Sequence, residues 1–141
     1  MPKMILIIGV PGSGKSTLAN KIKMERPAFA DANIWEADMY FVNPVTKKYN
    51  WSFEKLGSAH AWCQIKTEMD MKSGKNVIVS NTNLRPRERK PYLLLAKKYN
   101  YNIEVIECNG GFKNIHNVPE EKVKEMKSKF VPYSEDELKN L

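Results

Sequence analysis

Three short apolar runs punctuate the chain, and each ends at a turn signal. Met4 to Ile8 is continuously apolar and closes at Gly9, Val77 to Val79 follows Ser73-Gly74 and stops at Ser80-Asn81, and Ile103 to Ile106 runs to Asn109-Gly110-Gly111. Runs without polar alternation belong to strands buried on both faces of a parallel sheet. Between them lie helical segments. One extends from Ser16 to about Arg26, where Pro27 stops it, with Leu18, Ala19 and Ile22 turned to the sheet. A longer one covers about Phe53 to Lys72, with Leu56, Ala59, Trp62, Ile65 and Met69 forming its apolar stripe. Pro86 opens a third, continued through Leu93, Leu94, Ala96 and Tyr99, and Pro119-Glu120-Glu121 opens a fourth that ends near Lys127 and Lys129. A short strand is expected just before Trp35-Glu36, and 41–52 has no period and reads as a loop. The alternation predicts an α/β fold: a doubly wound parallel sheet of four to five strands with helices on both faces.

The length of 141 residues suits one domain, taken as 1–141, with a core that needs no metal or disulfide. No apolar run approaches a membrane span, so a soluble, cytoplasmic protein without membrane association is expected. Cys63 and Cys108 form no metal or redox motif and read as buried or half-buried thiols. The formal charge is +7, concentrated as +4 in residues 1–30 and +4 in 61–90, whereas 31–60 carries −1 and 91–141 is neutral. Two basic segments brought together by the fold would attract phosphate, and a lysine-rich solvated surface accounts for the same numbers.

Gly9-Val10-Pro11-Gly12-Ser13-Gly14-Lys15-Ser16 is a complete phosphate-binding P-loop, placed between a predicted strand and a predicted helix. Gly9, Pro11, Gly12, Ser13, Gly14, Lys15, Ser16 and Thr17 are therefore assigned to the nucleotide. The glycines let backbone N–H groups face phosphate oxygens, Lys15 reaches the β and γ phosphates, and the Ser16 hydroxyl ligates Mg²⁺. ATP and Mg²⁺ are the cofactors this implies. Phosphoryl transfer also needs a carboxylate to take the acceptor's proton. Trp35-Glu36-Ala37-Asp38-Met39-Tyr40-Phe41 offers Glu36 and Asp38, and Asp38 is preferred; its competing explanation is a helix or turn cap.

The P-loop, Ala37-Asp38-Met39-Tyr40-Phe41, Ala59-His60-Ala61-Trp62 and Val77-Ile78-Val79-Ser80-Asn81-Thr82-Asn83-Leu84 together resemble the phage-type polynucleotide 5′-kinase domain and its cellular relatives. The likeness runs over nearly the whole chain. It implies a P-loop kinase fold, Asp38 as general base for a 5′-hydroxyl, nucleic-acid ends as partners and, for a phage-encoded protein, the host cytoplasm as location. That family's second, 3′-phosphate-removing domain is not expected within these residues.

The chain departs from this pattern at three places. Phe41 stands where the family has an arginine for acceptor phosphate. Neither Ser80 nor Asn81 is the acid that the strand would normally deliver to the metal. Lys113 replaces an arginine in the lid, and is assigned to the transferring phosphoryl group as a charge without a bidentate fork. Asp38, Phe41, Asn81, Asn83, Arg85 and Arg87 are assigned to the acceptor, with Arg89 and Lys90 turned to solvent. Tyr40, Tyr49 and Trp51 are suited either to stacking on a base or to ordinary packing. The reading is an ATP-dependent kinase of nucleic-acid 5′-hydroxyls. The alternatives are a kinase of a small-molecule or modified-base hydroxyl, and a nucleotide-binding module with impaired catalysis.

Overall fold

The computed structural model describes residues 1–108 and 119–141. Its elements follow the expected alternation: β1 (Lys3–Ile8), α1 (Lys15–Glu25), β2 (Asn33–Trp35), α2 (Leu56–Lys72), β3 (Val77–Ser80), α3 (Pro86–Lys98), β4 (Asn102–Glu107), α4 (Glu120–Lys129) and α5 (Asp136–Lys139). The four strands form one parallel sheet in the order β2-β3-β1-β4. Alternation along β1 divides the core. Met4, Leu6 and Ile8 pack with Ala59, Cys63, Tyr92 and Ala96 of α2 and α3, whereas Ile5 and Ile7 pack with Ala19 and Ile22 of α1. Helices therefore cover both faces, and the continuous apolar runs are explained. Among the described residues no helix is long and apolar enough to cross a membrane.

Two expectations about buried faces need correction. In α2, Ala59 is buried and Leu56 and Trp62 pack against the core, but Ile65 and Met69 of the same stripe are exposed; the other buried residues are Cys63, Thr67, Asp70 and Met71. Polar members of that face are satisfied internally. The Thr67 hydroxyl donates to the Cys63 carbonyl at 2.8 Å, and the Asp70 carboxylate accepts from Trp35 Nε1 at 2.7 Å and from Asn33 Nδ2 at 2.9 Å. The second correction concerns Arg89, which is not at the surface but wholly buried. Its guanidinium donates to the carbonyls of Asn83, Leu84 and Val131 and to Glu137, tying the loop after β3 to the C-terminal segment. Alongside Arg89, α3 buries Tyr92, Leu93 and Ala96, and leaves Leu94 exposed.

The chain runs from β1 to β2 and β3 on one side of β1, then crosses to β4 on the other. The strand order therefore reverses at β1, and the crevice beyond the carboxyl ends of the strands at such a point is where open α/β sheets bind ligands. Gly9 and the Asn81–Asn83 loop meet there, with the Gly9 N–H donating to the Thr82 carbonyl at 3.1 Å.

Candidate active site

The loop from Gly9 to Gly14 bends back over the end of β1 and delivers the N-terminus of α1 to the crevice. Gly14 takes the N-cap position with φ 94°, a left-handed conformation that costs a side-chain-bearing residue. Gly9 is required for space. A Cβ there would lie 2.6 Å from the Cys108 carbonyl oxygen and 2.7 Å from Ser13 Oγ. Ser13 Oγ is buried without a hydrogen-bond partner among the described residues, an orphan suited to a ligand oxygen. Lys15 Nζ donates to the Val10 carbonyl at 3.0 Å and so folds over the loop mouth. Burial pulls its pKa below the ordinary lysine value, while the nearby Cys108, Glu36 and Asp38 act in the opposite direction.

The acids arrive from the neighbouring strand. In the β2–β3 register Trp35 lies beside Val79, which brings Glu36 level with Ser80 across the strand ends. The Ser16 hydroxyl donates to Glu36 Oε1 at 2.7 Å. A serine hydroxyl and a carboxylate so close form an oxygen pair that suits Mg²⁺. The acid missing from β3 thus has a counterpart one strand over. The run of β3 does not point to Glu36; the β2–β3 pairing does, because it sets this carboxylate beside the Ser16 hydroxyl in an arrangement that would suit a metal ion. With the orphaned Ser13 hydroxyl and the Cβ-free space at Gly9, the residues present fit a nucleotide phosphate and its Mg²⁺.

Asp38 lies one short turn further on, in the 3-10 segment Ala37–Phe41. The Tyr49 hydroxyl donates to its Oδ1 at 3.1 Å. Burial, then the charge of Asp38, pushes Tyr49 up to about 12, so the phenol remains a donor at every pH at which the protein would work. The turn is anchored from behind. The Ala37 N–H donates to Asn81 Oδ1 at 2.8 Å, and the Asn81 amide contacts Cys63 Sγ at 3.5 Å and the Tyr92 hydroxyl at 3.4 Å.

The sequence assignments therefore separate. Gly9, Pro11, Gly12, Ser13, Gly14, Lys15 and Ser16 form one loop, Thr17 is exposed on the first turn of α1, and Glu36 and Asp38 stand close enough to influence the Lys15 charge. Asn81 is buried and its amide is engaged by Ala37, Cys63 and Tyr92, whereas the buried Asn83 leaves its Nδ2 without a hydrogen-bond partner among the described residues. Phe41 is likewise buried, with the rings of Tyr40, Tyr49 and Trp51 around it. Arg85 is half-buried at the N-cap of α3. Arg87 is exposed and lines a shallow groove with Lys90, Asp136, Glu137 and Asn140, alongside the C-terminal segment. Lys113 lies outside the described residues.

A phosphate loop leaving β1, two carboxylates leaving β2 and a four-stranded parallel sheet define the P-loop kinase class of fold. Residues 4–111 match the profile of a family described as an AAA domain, AAA_33, and the chain belongs to that family. Human NEDD4-binding protein 2 is 34% identical over 133 residues, which covers 87% of this chain and only 7% of that protein. Solved structures share the fold at lower identity. A chain from the Pnkp1/Rnl/Hen1 RNA repair complex aligns at TM-score 0.61 and 18% identity, covering 99% of this chain and 42% of that one. The APS kinase CysC of Mycobacterium tuberculosis aligns at 0.58 and 12%, covering 91% and 96%. A gluconokinase from Sinorhizobium meliloti aligns at 0.51 and 18%, covering 99% and 72%. The fold is thus shared by proteins of RNA repair and by small-molecule kinases.

Proposed function

We propose that the protein is an ATP-dependent kinase that transfers the γ-phosphoryl group to the 5′-hydroxyl of a nucleic-acid end. The observation that carries the transfer chemistry is the convergence of Lys15, Ser16, Glu36 and Asp38 at the carboxyl ends of β1 and β2. The nucleic-acid acceptor is supported by the resemblance running from Asp38 to Asn83, and by the positive charge of the chain.

The P-loop amides and Lys15 hold the phosphates and offset the charge that accumulates on the leaving β-oxygen. Ser16 and Glu36 would hold Mg²⁺, which when bound would add to the neutralisation of the phosphate oxygens. Asp38 accepts the proton of the attacking hydroxyl as the new P–O bond forms and the bond to the departing ADP breaks. The Tyr49 hydroxyl orients the carboxylate, and Asn81 holds the turn that carries it. Binding at the P-loop and proton removal at Asp38 are separate tasks performed by separate strands.

One observation favours a second reading. Phe41 is buried where the family's arginine would meet acceptor phosphate, so a small-molecule hydroxyl without an adjacent phosphate is the rival acceptor. Transfer of label from γ-labelled ATP, offered in parallel to 5′-hydroxyl DNA, 5′-hydroxyl RNA, nucleosides and nucleoside 3′-phosphates, separates the two. The polynucleotide reading expects labelled oligonucleotide ends. Asp38→Asn should lose on the order of 10² to 10⁴ in kcat with ATP affinity little changed. Glu36→Gln should bind nucleotide with a raised Mg²⁺ requirement. Label entering only monomeric acceptors would overturn the polynucleotide reading.

A further inference from the structure

Residues 40–55 run between two short turns and carry the densest exposed aromatic surface among the described residues. Six of the thirteen exposed large hydrophobic residues among the described ones lie between 40 and 53. Four are rings: Tyr40 at 39% exposure, Tyr49 at 44%, Trp51 at 49% and Phe53 at 74%. Ordinary packing would bury such rings, and here only Phe41 is buried. Phe41 acts as the hub, with ring centroids 5.6 Å from Tyr40, 6.2 Å from Tyr49 and 6.4 Å from Trp51; Phe53 follows at 6.3 Å from Trp51.

The backbone under these rings is ordered by its own bonds. Val42 and Tyr49 form an antiparallel bridge, Asn50 N donates to Phe41 O at 2.9 Å, and Asn43 N donates to Lys48 O at 2.9 Å. Asn43 Oδ1 accepts from the N–H groups of Val45 and Thr46, closing the tip. Rings held in place before binding lose little freedom when a ligand stacks on them. The strip also carries Lys47, Lys48 and Lys55 against the single acid Glu54, and none of these lysines makes an ion pair among the described residues. One end of the strip is joined to the reaction centre, through Tyr49 and Asp38.

Planar rings interleaved with unpaired cations match a chain of bases on a phosphate backbone better than they match an aliphatic protein surface. We propose that the strip from Tyr40 to Phe53 is a stacking track for the unpaired terminal bases of a single-stranded nucleic acid, with Lys47, Lys48 and Lys55 beside its phosphates. The inference rests on the reading of a nucleic-acid acceptor, which it deepens by specifying a single-stranded end read through its bases rather than through a terminal phosphate.

The test is anisotropy of a fluorescent 5′-hydroxyl oligothymidylate, titrated with the full chain at several salt concentrations, together with label transfer to the same oligonucleotide. Trp51→Ala and Phe53→Ala should each weaken binding roughly 5- to 150-fold, the span of single stacking contacts, while ATP affinity stays at the parent value. An abasic oligonucleotide of equal length should bind the parent weakly and be indifferent to Phe53→Ala. Lys47→Ala with Lys48→Ala should flatten the salt dependence. Unchanged binding by both ring variants, or equal affinity for the abasic strand, overturns the track even where label transfer to nucleic acid stands. Ring-dependent binding without transfer to any nucleic-acid end supports the track and overturns the kinase acceptor. Self-association of the parent that Phe53→Ala abolishes, without oligonucleotide binding, assigns the strip to a second copy and overturns the proposal.

Discussion

Arg89→Leu should be among the most damaging single substitutions in this protein, although no step of the chemistry passes through it. The guanidinium is 0% exposed and donates to Glu137 Oε2 at 2.7 Å, to Asn83 O at 2.9 Å, to Leu84 O at 3.0 Å and to Val131 O, with the Phe130 ring 5.7 Å from its centre. A leucine fills much of the volume but leaves three carbonyls without their donor and a nearly buried carboxylate without its counter-charge. Breaking a buried pair from one side costs about 3–5 kcal/mol. For a domain whose total stability is about 5–15 kcal/mol, that loss lowers the melting temperature by roughly 6–20 °C at about 2–4 °C per kcal/mol. Urea unfolding followed by circular dichroism measures it. Glu137→Leu in the same chain removes the stranded charge, so the double variant should recover part of the loss. A lysine should rescue poorly, since one ammonium cannot span oxygens held in a fork. The account is refuted if Arg89→Leu unfolds within about 0.5 kcal/mol of the parent, or if the double variant is no more stable than the single one.

Lys15→Ala should abolish phosphoryl transfer with the fold intact, because among the described residues Nζ donates only to the Val10 carbonyl within the loop; transfer by a well-folded variant would dismiss the P-loop assignment. Gly9→Ala should lower both stability, by about 1–3 kcal/mol, and nucleotide affinity, since its Cβ meets Cys108 O and Ser13 Oγ below 3 Å; isothermal titration and thermal melts read the two effects. Glu104 accepts from Arg26 at 3.0 and 3.2 Å and pairs with Lys3 at 2.8 Å, which holds its carboxyl at about 2 against an ordinary 4.5. Its contribution is therefore complete above pH 4.5 and fades as pH falls from there through about 2. Glu104→Gln should flatten that part of the stability profile, by roughly 1 kcal/mol because the partners are partly solvated.

The strands were legible because a parallel sheet buried on both faces demands continuous apolar runs, and Met4 to Ile8 can be little else. The P-loop was legible because its geometry is local. What escaped depends on partners distant in sequence. The inner face of α2 includes Thr67 and Asp70, which become acceptable inside only through the Cys63 carbonyl and the indole and amide donors of β2. An apolar stripe that starts rightly at Leu56, Ala59 and Trp62 leaves the core side when it is continued through Ile65 and Met69. Arg89 reads as solvent-facing within Arg85-Pro86-Arg87-Glu88-Arg89-Lys90 until residues 130–137 fold over it. Glu36 looked like the lesser of two acids until the β2–β3 pairing set it level with Ser80, within reach of the Ser16 hydroxyl.

Asn81 tests whether the acid-bearing turn must be held for catalysis. Its carbonyl oxygen accepts the buried Ala37 N–H, its own N–H reaches Ile7 O at 3.3 Å, and its amide sits against Cys63 and Tyr92. The residue thereby joins the ends of β1 and β3 to the turn that carries Asp38. Asn81→Leu keeps a similar volume and removes the acceptor, which should cost about 1–3 kcal/mol for the stranded amide. With that tie gone, Glu36 and Asp38 are positioned less tightly, whereas the P-loop amides and Lys15 are untouched. In folded protein, kcat should fall while the ATP dissociation constant changes little. Asn81→Asp preserves the acceptor oxygen, and both the Cys63 thiol and the Tyr92 hydroxyl can donate to it, so it should restore much of kcat. A purely structural residue would behave differently: both variants would follow their stabilities, and kcat per folded molecule would match the parent. Should Asn81→Asp instead exceed the parent and lower the Mg²⁺ requirement, the new carboxylate is serving as the strand-end acid, and the assignment of that task to Glu36 fails.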